Sequence, residues 1–133
     1  MKFDFTPLPS SGSDEARPAL IAEIVGRTGT VPVFCLVDTG SLHNRFARWV
    51  ADEAGIDLTG ATVTRLAVGG ITTEARTVSC QLQLGDAGWE APVSFCDPWP
   101  VEFQVLGQLG FLRWFRITID AADEALEVIP NRV

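Results

Sequence analysis

The chain has 133 residues, of which 47% are hydrophobic, and a formal net charge of −7 at pH 7. This length and composition suit one domain with one core. The acidic balance, without a basic run, argues against a nucleic-acid partner and against an anionic membrane surface, and no apolar segment reaches membrane-spanning length.

The N-terminal part of the chain predicts an arm followed by a β-hairpin. Residues 1–18 are polar and irregular and lack the apolar core of a signal peptide, so we expect a flexible arm ahead of a domain at 19–133. The apolar runs at 19–25 and 31–37 predict two strands with a turn between them. The second run is apolar on both faces, which is typical of a strand covered on both sides.

The pattern then changes to a helical period. Spacings of three and four predict a helix over 43–54, with Ser41 or Asn44 as its N-cap. The apolar residues that draw its face are Leu42, Phe46, Trp49, Val50 and Ala54. We expect Trp49 to pack in the core, and we assign no catalytic role to His43, the only histidine.

From Gly60 onward the sequence is dominated by strand patterns. Strands are predicted at 62–68 and 71–84, joined by a Gly69-Gly70 turn, and the second alternates cleanly with period two. Further strands are predicted at 89–95, 103–106, 116–120 and 125–129, with one or two helical turns at 109–115. The expected fold is a mostly β single domain, a closed barrel or sandwich with one or two short helices.

The strongest chemical signal is Val-Asp-Thr-Gly-Ser at 37–41, where the second strand ends. An Asp at that junction is costly to bury unless the site uses its charge. Thr39 can hydrogen-bond to backbone groups, and Gly40 lets another chain approach closely. These are the needs of an aspartic peptidase, in which Asp38 would activate a water molecule. Asp and Gly also mark ordinary turns and helix caps, so the motif alone leaves both interpretations open.

The sequence lacks the motifs that other catalytic chemistries would need. The sequence has no zinc-ligand spacing of Cys and His and no Gly-x-Ser-x-Gly nucleophile elbow, and Gly107-Gln-Leu-Gly110 lacks the Lys of a phosphate-binding loop. Cys35, Cys80 and Cys96 are widely spaced and odd in number, so we expect reduced thiols packed in strands and a cytoplasmic protein. We therefore expect no metal or cofactor, and a chemistry that rests on carboxylates or is absent.

Three motifs in order resemble those of the retropepsin-like aspartic peptidases, the single-lobe relatives of the pepsins, and the chain looks closest to short bacterial members. Leu36–Ser41 resembles their active-site motif, Gly69-Gly70 lies where they have a glycine-bearing flap, and Val105-Leu106-Gly107 is similar to a motif that packs beneath their catalytic loop. The match covers roughly residues 19–130. Two features depart from the family: Gln108 stands where many members carry a charged residue, and the flap has no Tyr.

The resemblance implies a homodimer that acts as an endopeptidase on peptide or protein substrates. Each copy would supply one Asp38, and two such carboxyls brought together would share a proton and activate water. It further implies that Thr39, Gly40 and Ser41 support the site, with Ser41 able to hydrogen-bond the Asp38 carboxylate. Gly69 and Gly70 would form a flap that closes over the substrate.

Two alternatives stay open at this point. The domain could be a catalytically inactive module that binds peptides or self-associates, with Asp38 as a relic, and assays on synthetic peptides at mildly acid pH would tell the two apart. In a dimer, either the N-terminal arm or the strand at 125–129 could supply part of the interface.

Overall fold

The structure, a computed structural model, describes residues 1–9 and 12–131, which form twelve strands, one short α-helix and one π-helical turn. The strands are Lys2–Asp4 (β1), Thr6–Pro7 (β2), Ala16–Arg17 (β3), Ala19–Gly26 (β4), Gly29–Val37 (β5), Asn44–Ala47 (β6), Thr62–Val68 (β7), Ile71–Leu84 (β8), Ala87–Asp97 (β9), Gln104–Leu106 (β10), Phe115–Asp120 (β11) and Ala125–Pro130 (β12). The helix α1 is Arg48–Ala54, and the π-helical turn is Gln108–Leu112. No helix in these residues has the length and apolar character needed to cross a membrane.

Six strands close into a barrel in the order β4-β5-β10-β6-β9-β8. The barrel closes where Glu23–Val25 of β4 pair with Gln81–Gln83 of β8. Two of the contacts, β5 with β10 and β6 with β9, are parallel, and the others are antiparallel. The inward side chains make one apolar core, with Ile24, Phe46, Leu82, Phe95 and Leu106 among its fully buried members. The mostly β closed barrel predicted from the sequence is therefore confirmed.

The strand pattern read from the sequence also holds in detail. The hairpin of β4 and β5 is present, and β8 runs over the predicted residues 71–84 with every second side chain of its C-terminal half buried. In β5 the inward face is buried, whereas Pro32 is exposed and Phe34 and Leu36 are only partly buried, so the second face is less covered than expected. Cys35, Cys80 and Cys96 are free, buried and placed in three different strands, as expected.

The helix expected over 43–54 is wrong in its first half. Residues Asn44–Ala47 form β6, which lies between β10 and β9 in the barrel, and the helix begins only at Arg48. The spacing of Phe46 and Val50 imitates one face of a helix, because a strand residue and a helix residue four positions apart both point into the core. The N-cap is Ala47 without a side-chain cap bond, and Trp49 is 53% exposed rather than in the core.

The N-terminal residues make contacts that their composition did not predict. Lys2–Asp4 pair antiparallel with β12, so β1, β12 and β11 form a separate three-stranded sheet. Phe3 and Phe5 are partly buried against the core, which explains why this short segment is a strand. The flexibility of the arm at 1–18 stays a prediction; its residues 10 and 11, and residues 132 and 133 of the predicted domain, lie outside the described part of the chain.

Candidate active site

Asp38 is held at the end of β5 by the neighbouring strand β10. Val37 and Leu106 pair in parallel register, and the Asp38 N–H donates to the Leu106 carbonyl at 2.9 Å. The Val37 N–H donates to the Pro18 carbonyl on the other side at 2.8 Å. Val37 and Leu106 are buried while Asp38 is partly exposed, so the acid lies where the barrel core meets solvent.

The Asp38 carboxylate is oriented by its own turn. The Gly40 N–H donates to Asp38 Oδ1 at 2.9 Å, and the Ser41 N–H donates to the Asp38 carbonyl at 3.2 Å. A Cβ on residue 40 would lie 3.3 Å from Oδ1, so glycine keeps space beside the carboxylate. One carboxylate oxygen is thus fixed by a backbone donor.

Gly107 lies directly against the turn, as the resemblance implies. A Cβ there would lie 2.6 Å from the Ser41 carbonyl oxygen and 2.5 Å from that of His43, so any side chain would push the turn away. The next two residues bind the same segment, because the Gln108 N–H donates to the Ser41 carbonyl at 2.8 Å and the Leu109 N–H to the Leu42 carbonyl at 2.9 Å. The backbone from Gly107 to Leu109 therefore supports the Asp38 turn.

Asn44, which the sequence offered with Ser41 as a helix N-cap, is instead a buried residue that links two backbone segments. Its side chain is fully buried in β6, where Oδ1 accepts the Gly107 N–H at 2.9 Å and Nδ2 donates to the Gly110 carbonyl at 3.0 Å. Trp89 Nε1 donates to the same Gly110 carbonyl at 2.7 Å. A Cβ on Gly110 would lie 2.3 Å from Asn44 Cγ, so the amide and the two glycines fit one another. Asn44 stands between His43 and Arg45 in the sequence, so no local pattern distinguishes it as a buried residue.

The polar residues near Asp38 make hydrogen bonds within the loop that differ in part from those expected. The Ser41 hydroxyl donates to the His43 carbonyl, two residues along the same loop, at 2.8 Å and not to the Asp38 carboxylate. Gln108, which stands where many members of the resembled family carry a charged residue, donates through Nε2 to the Thr39 carbonyl at 2.8 Å. Thr39 is exposed at the tip of the turn, so its hydroxyl is open to a partner or substrate.

Gly69 and Gly70 form the tip of the β7–β8 hairpin. Val68 and Ile71 pair across them, and both glycines have positive φ, 57° and 81°, as a two-residue type I′ turn requires. Strand β7 pairs only with β8, and β8 meets β9 only from Glu74 onward, so the end of the hairpin projects beyond the barrel. Its tip reaches the loop after β9: a Cβ on Gly69 would lie 3.3 Å from Pro100 Cγ, and the Thr73 hydroxyl donates to the Pro98 carbonyl.

Other nucleophiles and metal ligands are poorly placed in the described residues. Burial raises the pKa of Cys80 to about 12 and that of Cys96 to about 11, and it raises the pKa of Cys35 as well, so these thiols stay protonated at neutral pH. No group of three or more His, Cys, Asp or Glu that could hold a metal ion occurs in residues 1–9 and 12–131.

No protein-family model and no curated protein matches the chain. Solved structures do match. A retropepsin-like aspartic protease from Rickettsia conorii superposes with a TM-score of 0.61 and 17% identity, over 96% of this chain and 90% of that one. The retroviral protease-like domain of Ddi1 from Leishmania major superposes with a TM-score of 0.60 and 16% identity, over 89% of this chain and 97% of that one.

These likenesses cover nearly the whole chain at low identity, so they concern the backbone arrangement. They agree with the closed barrel described above. The chain therefore has the fold of the retropepsin-like aspartic proteases.

Proposed function

We propose that the protein is an aspartic endopeptidase whose active site forms between two copies of the chain, each of which supplies Asp38. The observation that carries the proposal is the geometry of the Asp38 turn. A carboxylate at the rim of the barrel has one oxygen fixed by the Gly40 N–H at 2.9 Å, and the turn itself is supported by Gly107. The close packing of Gly107 against this turn supports a role for Asp38 beyond that of an ordinary turn residue.

One copy is insufficient for this chemistry, because it supplies a single acid of this kind. Two Asp38 carboxyls close together cannot both ionise easily, so they would hold one proton between them. The ionised carboxylate takes a proton from water as the water oxygen attacks the peptide carbonyl carbon. The protonated carboxyl gives its proton to the carbonyl oxygen, and a tetrahedral diol forms. On its collapse the C–N bond breaks: the carboxyl that took the water proton gives it to the leaving nitrogen, and the other carboxylate takes a proton from a diol hydroxyl. The pair is then back in its starting state.

The remaining parts of the site fit this role. Thr39 is exposed next to Asp38 and would brace the two turns across the axis, while Gly40 and Ser41 shape the turn. The Gly69-Gly70 hairpin would close over an extended substrate and exclude water. Pro100, which the hairpin tip already approaches, would line the cleft beneath it.

A reducing, cytoplasmic setting is also part of the proposal. It is supported by three free cysteines that are buried in separate strands. Their number is odd, and a protein of an oxidising compartment would more often pair them.

The direct test is hydrolysis of a synthetic peptide library by Asp38→Asn. Asn keeps the shape of the side chain and can still accept the Gly40 N–H, but it cannot take a proton from water. We expect a loss of turnover of about 1,000-fold or more at mildly acid pH, with unchanged thermal stability.

Asp57→Asn is the matched control, because Asp57 Oδ1 accepts the Thr59 N–H at 2.9 Å in the same i to i+2 turn, on an exposed loop. The control should keep the parent rate. Parent-like hydrolysis by Asp38→Asn would reject the catalytic assignment, and binding of peptides without any hydrolysis by the parent would favour the inactive peptide-binding module.

A further inference from the structure

We propose that two copies of the chain associate by pairing the outer edges of β11 in antiparallel orientation about Thr118. Strand β11 lies at the edge of the three-stranded sheet β1-β12-β11, so one side of it has no strand partner in the described residues. The inference rests on the proposed function in one respect, namely that a second copy is needed to complete the site around Asp38.

The alternation of the sheet decides which backbone groups face outward. Met1 and Val128 exchange two hydrogen bonds of 2.8 Å, so the N–H and C=O of Val128 point toward β1. The backbone groups of the residues on either side of Val128 must then point toward β11. The Asn131 N–H follows this alternation, since it donates to the Trp114 carbonyl at 2.9 Å. In β11 the backbone groups of Arg116 and Thr118 therefore face β12, and those of Ile117 and Ile119 face the open edge.

The sequence of β11 is self-complementary in one antiparallel register. With Thr118 opposite the partner's Thr118, Ile117 lies opposite the partner's Ile119, and their outward N–H and C=O groups can bond directly. In the same register Arg116 lies opposite the partner's Asp120, and the two-fold axis repeats this ion pair. Opposite charges, paired threonines and paired β-branched residues are the favoured cross-strand neighbours in antiparallel sheets.

The side chains concerned are available for such pairing. Arg116, Thr118 and Asp120 are exposed, and Ile119 is 40% exposed. Asp120 Oδ1 accepts the Asp123 N–H at 3.0 Å within the hairpin turn, which leaves the second carboxylate oxygen for an arginine. The pairing would cover an apolar side chain and convert two exposed charges into a cross-strand ion pair.

The other terminal strands are less suitable. Strand β12 has β1 on one side and β11 on the other, so it has no free edge to offer. The outer side of β1 faces a groove lined by its own chain, with Ala19, Ile21 and Phe34 on the far wall. Strand β11 also follows directly on the Gln108–Leu112 turn, whose Gln108 holds the catalytic loop at Thr39. An interface at β11 is thus continuous with the segment that supports Asp38.

The test is a charge exchange measured by sedimentation. Arg116→Asp places Asp opposite the partner's Asp120, and Asp120→Arg places Arg opposite the partner's Arg116, so each variant should raise the dimer dissociation constant by on the order of 100-fold. The double variant R116D/D120R restores two opposite-charge pairs at unchanged net charge. An equimolar mixture of the two single variants restores them as well, so it should form a heterodimer. Arg27→Asp, in the exposed turn between β4 and β5, is the control with the same charge change.

Recovery of the dimer in the mixture or in the double variant supports the β11 pairing, even where one single variant is less stable. The pairing is overturned if both single variants associate like the parent, if neither combination recovers association, or if the parent stays monomeric at every concentration. Peptide hydrolysis measured on the same samples keeps the two proposals apart. A β11-dependent dimer without activity leaves the interface in place and rejects the peptidase.

Discussion

The Asp38 carboxylate depends on a buried amide that does not touch it. Asn44 accepts the Gly107 N–H and donates to the Gly110 carbonyl, and Gly107 in turn lies against the carbonyls of Ser41 and His43. A single uncharged side chain thus satisfies a donor and an acceptor on two backbone segments inside the core. Only Asn fits this task at its size, since Asp lacks the donor and Leu lacks both groups.

We predict that Asn44→Ala lowers the free energy of unfolding by about 2–4 kcal/mol, because it leaves the buried Gly107 N–H without its acceptor and opens a small cavity. Urea unfolding of the purified variant is the measurement. The matched control is Asn131→Ala, since Asn131 Nδ2 also donates to a backbone carbonyl, that of Arg113, at 3.0 Å but on the exposed surface. The control should change stability by no more than about 1 kcal/mol, and an equal effect of the two substitutions would contradict the role given to Asn44.

At the scale of single residues, the turn at Asp38 is easier to predict from the sequence than the residues that pack beneath it. Asp38 and Gly40 stand in a short local motif whose geometry follows from backbone hydrogen bonds between near neighbours. Asn44 and Gly110 are 66 residues apart in the chain, and their contact exists only once the barrel has formed. No local pattern marks such a pair, which is why Asn44 was interpreted as a helix cap.

At the scale of elements, the β7–β8 hairpin is the part of the fold that is least tied to the rest. Strand β7 contacts the barrel only through β8, and its side chains are mostly exposed or partly buried. The tip meets the loop after β9 at Pro100 and the Pro98 carbonyl. A hairpin anchored at its base and lightly held at its tip is suited to opening and closing over a substrate.

We predict that Gly70→Val reduces turnover by about ten-fold or more, because it strains the turn that must move over the cleft. Gly70 has φ +81° with open space around a Cβ, and Gly60 has φ +78° with equally open space. Gly60→Val is therefore a control that carries the same backbone cost, about 1–3 kcal/mol of stability, outside the hairpin. Peptide turnover and thermal unfolding of both variants give the comparison, and equal turnover in the two would place the mobile flap elsewhere.

The sequence predicts a strand correctly where the alternation of buried and exposed side chains is long enough to recognise. It fails where pairing with a distant strand determines the structure. The alternation in β8 spans many residues and needs no knowledge of its neighbours, so its bounds came out as observed. The strand β6 has only four residues and pairs in parallel with β9, about fifty residues later in the chain. Its apolar residues continue into α1 with a helical spacing, so the sequence favoured one helix over the whole stretch.

At the scale of the whole molecule, the proposed function makes one chain half of a two-fold active site. The described residues include one Asp38 turn, the β7–β8 hairpin that would form the flap, and the β11 edge proposed for pairing. Under the proposed mechanism, activity therefore belongs to the dimer, and specific activity should fall on dilution as dimers dissociate. The fold itself was predictable from three short motifs in order, whereas the interface depends on which strand edges the tertiary structure leaves open.

The central claim is that each active site takes one Asp38 from each of two chains, and subunit mixing tests it most directly. The parent and Asp38→Asn are combined in varying proportion at a fixed total concentration well above the dissociation constant, allowed to exchange, and assayed on a synthetic peptide. If both carboxyls are needed, the rate follows the square of the parent fraction, so an equal mixture retains about one quarter of the parent rate. A rate that falls linearly, with about half retained in the equal mixture, would show that each chain acts alone and would contradict the shared site.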